Sequence, residues 1–164
     1  MKIAKKRTKK YHAKPISLIG GLSRFAAAHA RYEDNQPISA DQNGDIALNY
    51  WLSFQELTKG SASESAWSAV VCSLNVGMVL CEFGIGSEYI ENFNLALEGA
   101  FRAKIRSEKS GNFRLNGDGI SRITLALQIH EEQMRIANKS EITKALNTVQ
   151  ERIDAGNVFK INQK

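Results

Sequence analysis

The stretch Ser61–Gly84, SASESAWSAVVCSLNVGMVLCEFG, decides the fold. From Ala66 to Phe83 its only charged residue is Glu82. A helix over this run is apolar on nearly every side, which places it inside a larger protein or inside a membrane. Ser68, Ser73 and Asn75 interrupt it, and no run of about 18 consecutive apolar residues occurs. The protein interior is therefore the expected location. Ser63 is a candidate N-cap, and Gly84 can close the helix with positive φ. A helix over 62–83 spans about 33 Å, the width of a small domain. Its small residues Ala62, Ala66, Ala69, Ser73 and Gly77 recur every three or four positions, so neighbouring helices can approach closely. Asn75 is the one amide in the middle, expected to hold a hydrogen bond within the fold. Cys72 and Cys81 fall about 180° apart in azimuth and roughly 13 Å apart along the axis. They cannot bond to each other, and buried structural thiols are the expectation.

Downstream, Gly84-Ile85-Gly86 is a tight connector and Ser87 a candidate cap. Ile90, Phe93, Leu97, Phe101 and Ile105 trace one face of the next helix, while Glu88, Glu91, Glu98, Arg102 and Arg106 lie largely off it. The short connection predicts a hairpin with the central helix. This helix stops at Ser110-Gly111, and the stretch from Asn112 to Gly119 suits a turn or strand fragment. Asn116 or Asp118 can then cap a helix carrying Ile120, Ile123, Leu127, Met134 and Ala137 inward. Asn138-Lys139 interrupts, Ser140 recaps, and Ile142, Leu146, Val149 and Ile153 give the final stripe before Gly156.

Upstream, the polar run from Glu33 to Asp45 reads as a loop by composition, with Asp45 a plausible N-cap. Ile46, Leu48, Trp51, Leu52 and Leu57 follow as a helix ending near Thr58-Lys59-Gly60. Tyr50, Trp51 and Phe54 are expected as core aromatics rather than a base-stacking platform. Before the loop, Ile16 to Tyr32 turns apolar, and Gly20-Gly21 leaves room for a short helix.

Charge is unevenly distributed. The 164 residues carry a net charge of +5. Residues 1–14, MKIAKKRTKKYHAK, hold Lys2, Lys5, Lys6, Arg7, Lys9, Lys10 and Lys14 with no acid, leaving 15 basic and 17 acidic side chains for the remainder. The basic pI of 9.3 is thus a property of an arm on a slightly acidic body. The arm has one aliphatic residue larger than alanine, Ile3, and cannot bury enough apolar surface to offset the entropy of ordering. It is expected to be disordered as far as Pro15. Ser17, Gly20, Gly21 and Arg24 argue against a signal peptide, and clustered lysines argue against a transit peptide. The cytoplasm is the expected compartment.

Chemistry-bearing patterns are sparse. Histidines at 12, 29 and 130 stand alone, and His130-Glu131-Glu132 lacks the second histidine of a zinc helix. No Glu-x-x-His pair marks a di-iron bundle. Leu115–Ser121, LNGDGIS, lacks the lysine and spacing of a P-loop and reads as a capped turn. Glu131 and Glu132 point to different sides of a helix and read as solvated surface. No catalytic residue, metal ligand set or cofactor is expected, and the chain is read as a non-enzyme. The arm is different: its seven charges can neutralise phosphates of DNA or RNA while Tyr11 stacks on a base. The competing reading is a solubilising tail.

At KKRTKKYHAKP (5–15), SLNVGMVLCEFGIGSEY (73–89) and FRLNGDGISRITLALQIHEEQM (113–134), the chain resembles small uncharacterised proteins of phages, prophages and plasmids of Gram-negative bacteria. That resemblance implies a mobile-element context in a bacterial host and carries no assigned catalytic residues. His12-Ala13 stands where the pattern would have Arg-Pro.

The sequence therefore predicts an all-α, single-domain bundle of five to six helices around a buried central helix at about 62–83. Its organisation is a flexible basic arm at 1–14, a helical domain at 15–156 and a tail at 157–164. The expected function is non-enzymatic nucleic-acid binding as an accessory protein, through Lys2, Lys5, Lys6, Arg7, Lys9, Lys10, Tyr11 and Lys14. The alternative is a protein-interaction module whose helical body binds or inhibits a host factor. No membrane partner is expected.

Overall fold

A computed structural model of the chain describes residues 30–157. The basic arm, most of the apolar segment from Ile16 to Tyr32, and the tail from Val158 onward lie outside the described residues. The chain divides into two units, Met1–Glu33 and Asp34–Lys164. Of the first, residues 30–33 are helical.

The second unit is an all-α bundle. Its elements are α1 (Ala40–Lys59), α2 (Glu64–Glu82), a 3-10 turn (Ser87–Tyr89), α3 (Ile90–Ser110), α4 (Gly117–Ile136) and α5 (Lys139–Asp154). Among the described residues, extended pairing is limited to the isolated bridges Pro37–Asn138 and Ala62–Phe113. Helix α2 packs against α1, α3, α4 and α5. It is long and apolar enough to cross a membrane by length and composition, yet here it forms the wall shared by two hydrophobic cores. Val70 and Leu74 face the core built with Tyr50, Leu57, Phe93 and Ile123. Val76, Val79 and Leu80 face the core built with Met134, Ile142 and Val149. A helix between two cores needs apolar residues on both sides, which is why its sequence has so little polar face.

Capping explains the helix limits. The Ser63 side chain accepts from Ala66 N, as expected, and α2 ends one residue before Phe83 and two before Gly84, whose φ is 95°. Asn116, rather than Asp118, caps α4 by accepting from Gly119 N at 2.9 Å. Asn138 caps α5 in a full capping box with Glu141, so Ser140 lies inside the helix. Its inward face is Ile142, Ala145 and Val149, while Leu146 and Ile153 are exposed. Ser87 makes no side-chain cap; it begins the 3-10 turn instead.

Helix α1 departs furthest from expectation. It begins at Ala40, not after Asp45, because Ser39 and Gln42 form a reciprocal capping box. A solvated first turn needs no apolar residue once its free N–H groups are capped, so a loop-like composition is helical here. The inward face is Tyr50, Phe54 and Leu57, and Ile46, Leu48 and Leu52 stay exposed. Cys81 is buried, donating to Gly86 O at 2.9 Å, but Cys72 is exposed, contrary to the expected burial of both. Both thiols are free.

Two glycines set helix spacing. Gly99 of α3 meets Gly119 of α4, where a Cβ on Gly99 would come 3.2 Å from the Gly119 Cα. Gly77 in α2 lies under the Phe93 ring: an added methyl would overlap Phe93 Cε1 and Cζ and stand 3.1 Å from Gln133 Oε1. Overpacking of a well-filled core costs about 1–3 kcal/mol. Gly77→Ala is therefore expected to lower the free energy of unfolding in urea by about that amount, despite alanine's better helix propensity. Adding Phe93→Leu to Gly77→Ala should cost less than the sum of the two single substitutions. Strict additivity, or a stabilised Gly77→Ala chain, would contradict the packing described.

Candidate nucleic-acid interface

The arm residues singled out by sequence, Lys2, Lys5, Lys6, Arg7, Lys9, Lys10, Tyr11 and Lys14, all lie outside the described residues. What the body contributes is a charge contrast. Residues 30–157 carry 12 basic and 17 acidic side chains, a net of −5, whereas residues 1–29 carry eight basic side chains and no acid.

Within that acidic body the fold gathers one basic end. Leu115 N donates to Leu57 O at 3.3 Å, and the Ala62–Phe113 bridge lies beside it, so the α3–α4 turn lies against the end of α1. Arg114 then extends along Gly60, its Cδ only 3.0 Å from where a Cβ would stand. Arg106 donates to Arg114 O at 2.9 Å, and Lys59 and Lys109 occupy the last turns of α1 and α3. Lys59, Arg106, Lys109 and Arg114 carry no carboxylate ion pair among the described residues. The bundle's other arginines contrast with them: Arg102 pairs with Glu98, Arg122 with Asp118, Arg135 with Glu131 and Glu132, and Arg152 with Glu82. The basic end was not legible in sequence, because Lys59 and Arg114 stand 55 residues apart and the turn before α4 brings their segments together.

A buried polar cluster lies deeper. Gln133 of α4 donates from Nε2 to Gly77 O at 3.0 Å and to Ile85 O at 2.7 Å, with Cys81 Sγ at 3.1 Å. It ties α4 to α2 and to the connector before α3. Its neighbour one turn earlier, His130, is buried against the Tyr50 ring, with centroids 5.6 Å apart. Tyr50 Oη, His130 Nδ1 and Gln133 Oε1 have no hydrogen-bond partner among the described residues. Complete burial pushes the His130 pKa down to about 4, and burial pushes that of Tyr50 up to about 12. These are the signs expected when the charged form is desolvated. Gln133 acts on the imidazole in the opposite sense to burial, and Glu131 adds to the upward shift of the Tyr50 hydroxyl. Among the described residues, no group of three or more His, Cys, Asp or Glu side chains is placed to hold a metal ion.

The other expected sites resolve as structure. Trp51 Nε1 donates to Glu131 Oε2 at 3.4 Å, so Glu131 is more than solvated surface. Asn75 Nδ2 donates back to Val71 O at 2.9 Å. Gly119 of the LNGDGIS turn is consumed by the helix crossing at Gly99. An apolar groove of about 540 Å³ runs beside α2, lined in part by Trp67, Val71, Met78, Leu97 and Phe101.

No protein-family model, curated protein or solved structure matches the chain.

The buried imidazole makes stability depend on pH. Its folded pKa lies below the unfolded value of about 6.5, so its contribution is fully present above pH 6.5 and is lost as pH falls towards 4. At about 1.4 kcal/mol per unit, the loss across that window is ~3 kcal/mol. Urea unfolding at pH 7 and at pH 4.5 should therefore differ more for the native chain than for His130→Gln. Superimposable pH profiles for the two chains would contradict a neutral buried His130.

Proposed function

We propose that this chain is a non-enzymatic nucleic-acid-binding accessory protein of a phage or other mobile element, acting in the cytoplasm of a bacterial host. Its contacts to phosphate come from Lys2, Lys5, Lys6, Arg7, Lys9, Lys10 and Lys14, with Tyr11 stacking on a base. The observation that carries this reading is charge segregation: seven cations without an acid in 14 residues, joined to a body of net −5. An acidic body repels a polyanion, so the favourable electrostatics concentrate in the arm. Lys59, Arg106, Lys109 and Arg114 offer a second phosphate contact at one end of the bundle. A body-borne interaction with a host protein is the second reading, favoured by Leu48 and Leu52, each more than half exposed on α1.

Fluorescence anisotropy with labelled single- and double-stranded DNA and RNA tests the first reading. If all seven arm cations meet duplex phosphates, raising salt from 50 to 200 mM weakens binding by about 10³ to 10⁴. Deleting residues 2–14 should remove most of the affinity and most of that salt dependence. Replacing Lys59, Arg106, Lys109 and Arg114 by glutamine should shorten the salt slope by a smaller amount. Unchanged affinity after arm deletion, or a flat response to salt, would overturn the proposal.

A further inference from the structure

The groove beside α2 has a chemistry of its own. Trp67, Val71, Met78, Leu97, Phe101 and Ile153 supply apolar wall, drawn from α2, α3 and α5. Its volume of about 540 Å³ falls within the range of small-molecule sites. None of the residues lining it is an aspartate or glutamate, while two are cations, Lys104 and Arg152.

The two cations are not equivalent. Arg152 forms a two-pronged pair with Glu82, one bond being 3.0 Å, and its charge is offset. Glu82 lies at the C-terminal end of α2 and Trp67 in its first turns. Lys104 Nζ sits at the opposite end, 5.0 Å from the Trp67 ring centroid, with no carboxylate pair among the described residues. A ring face attracts a cation but leaves its net charge in place. The groove is thus mainly apolar, with Ser68 and the asparagines as its uncharged polar lining and one uncompensated positive charge at one end. From Trp67 to Met78 it follows roughly 16 Å of helix. Two lining amides already donate elsewhere, Asn75 to Val71 O and Asn94 to Glu91 Oε2.

We propose that this groove binds a small amphipathic monoanion, an apolar chain or ring body carrying a single carboxylate, with the carboxylate at Lys104 and the body along Val71 and Met78. The match is one of charge and polarity: a neutral apolar molecule leaves Lys104 unanswered, a dianion meets no second free cation there, and the cationic group of a zwitterion meets no carboxylate in the lining. None of the four cations of the basic end lines the groove.

Cys72 lines the groove and is exposed, whereas Cys81 is buried, so alkylation of Cys72 by iodoacetamide reports occupancy. Decanoate and decanol, each below its aggregation threshold at pH 7.5, serve as the charged and neutral probes with the full chain. Decanoate is expected to slow alkylation of Cys72 at least tenfold at saturation. Decanol should require roughly tenfold higher concentration for the same protection. In Lys104→Gln the two probes should become equivalent, with the far-UV circular dichroism unchanged. A Val71→Trp chain, which fills the groove, should bind neither probe by calorimetry. Absence of protection by either probe, or equal protection in the native chain, would overturn the proposal. So would binding to phosphatidylglycerol vesicles without binding of decanoate, which would make the ligand a membrane surface. Decanoate binding only to a chain ending at Asn157 would also overturn it, since the groove would then be filled by the chain's own tail.

Discussion

The ring of Phe93 rests on the bare Cα of Gly77, and the rest of the bundle depends on that approach. It sets the distance between α2 and α3, and it leaves room beside the ring for the Gln133 amide from α4. A buried amide is costly unless its hydrogens find acceptors. Here Nε2 finds two carbonyls, Gly77 O and Ile85 O. One position in α2 thus combines the closest packing with the polar tie, and three elements meet there. With α2 fixed this way, it is free to wall two separate cores.

Much of this frame was legible from local signals, because the central helix is bounded by residues whose chemistry acts locally. Ser63 and Gly84 mark α2 to within two residues, and the inward residues Ile123, Leu127, Met134 and Ala137 of the α4 segment follow from simple periodicity. The misreadings have a common cause. At Ser39 and Asn138 a capping box starts a helix inside polar sequence, where hydrophobic periodicity carries no information. Periodicity also does not say which apolar face the neighbouring helices cover, so Leu48, Leu52, Leu146 and Ile153 are exposed rather than buried. Cys72 was misplaced for a related reason: a helix apolar all round does not say which side its neighbours leave open.

The functional features divide along the same line. The arm was readable because its signal is contiguous in sequence. The basic end and the groove were not, since the first is assembled from two helix ends and a turn and the second from three helices. A signal for the groove did exist in principle: no acid among its wall residues. It becomes meaningful only after α2, α3 and α5 are placed side by side. His130 is similar, since nothing local distinguishes a surface histidine from one held neutral against Tyr50.

The central claim is that α2 is the axis on which both cores are built. Native-state amide hydrogen exchange tests it directly, because amides that open only with global unfolding exchange with the full free energy of the fold. The account predicts that amides from Val70 to Leu80 are the slowest in the described body, with exchange free energies equal to the unfolding free energy from urea. Amides of α2 exchanging through a lower-energy opening, while α1 or α5 remain protected, would contradict it.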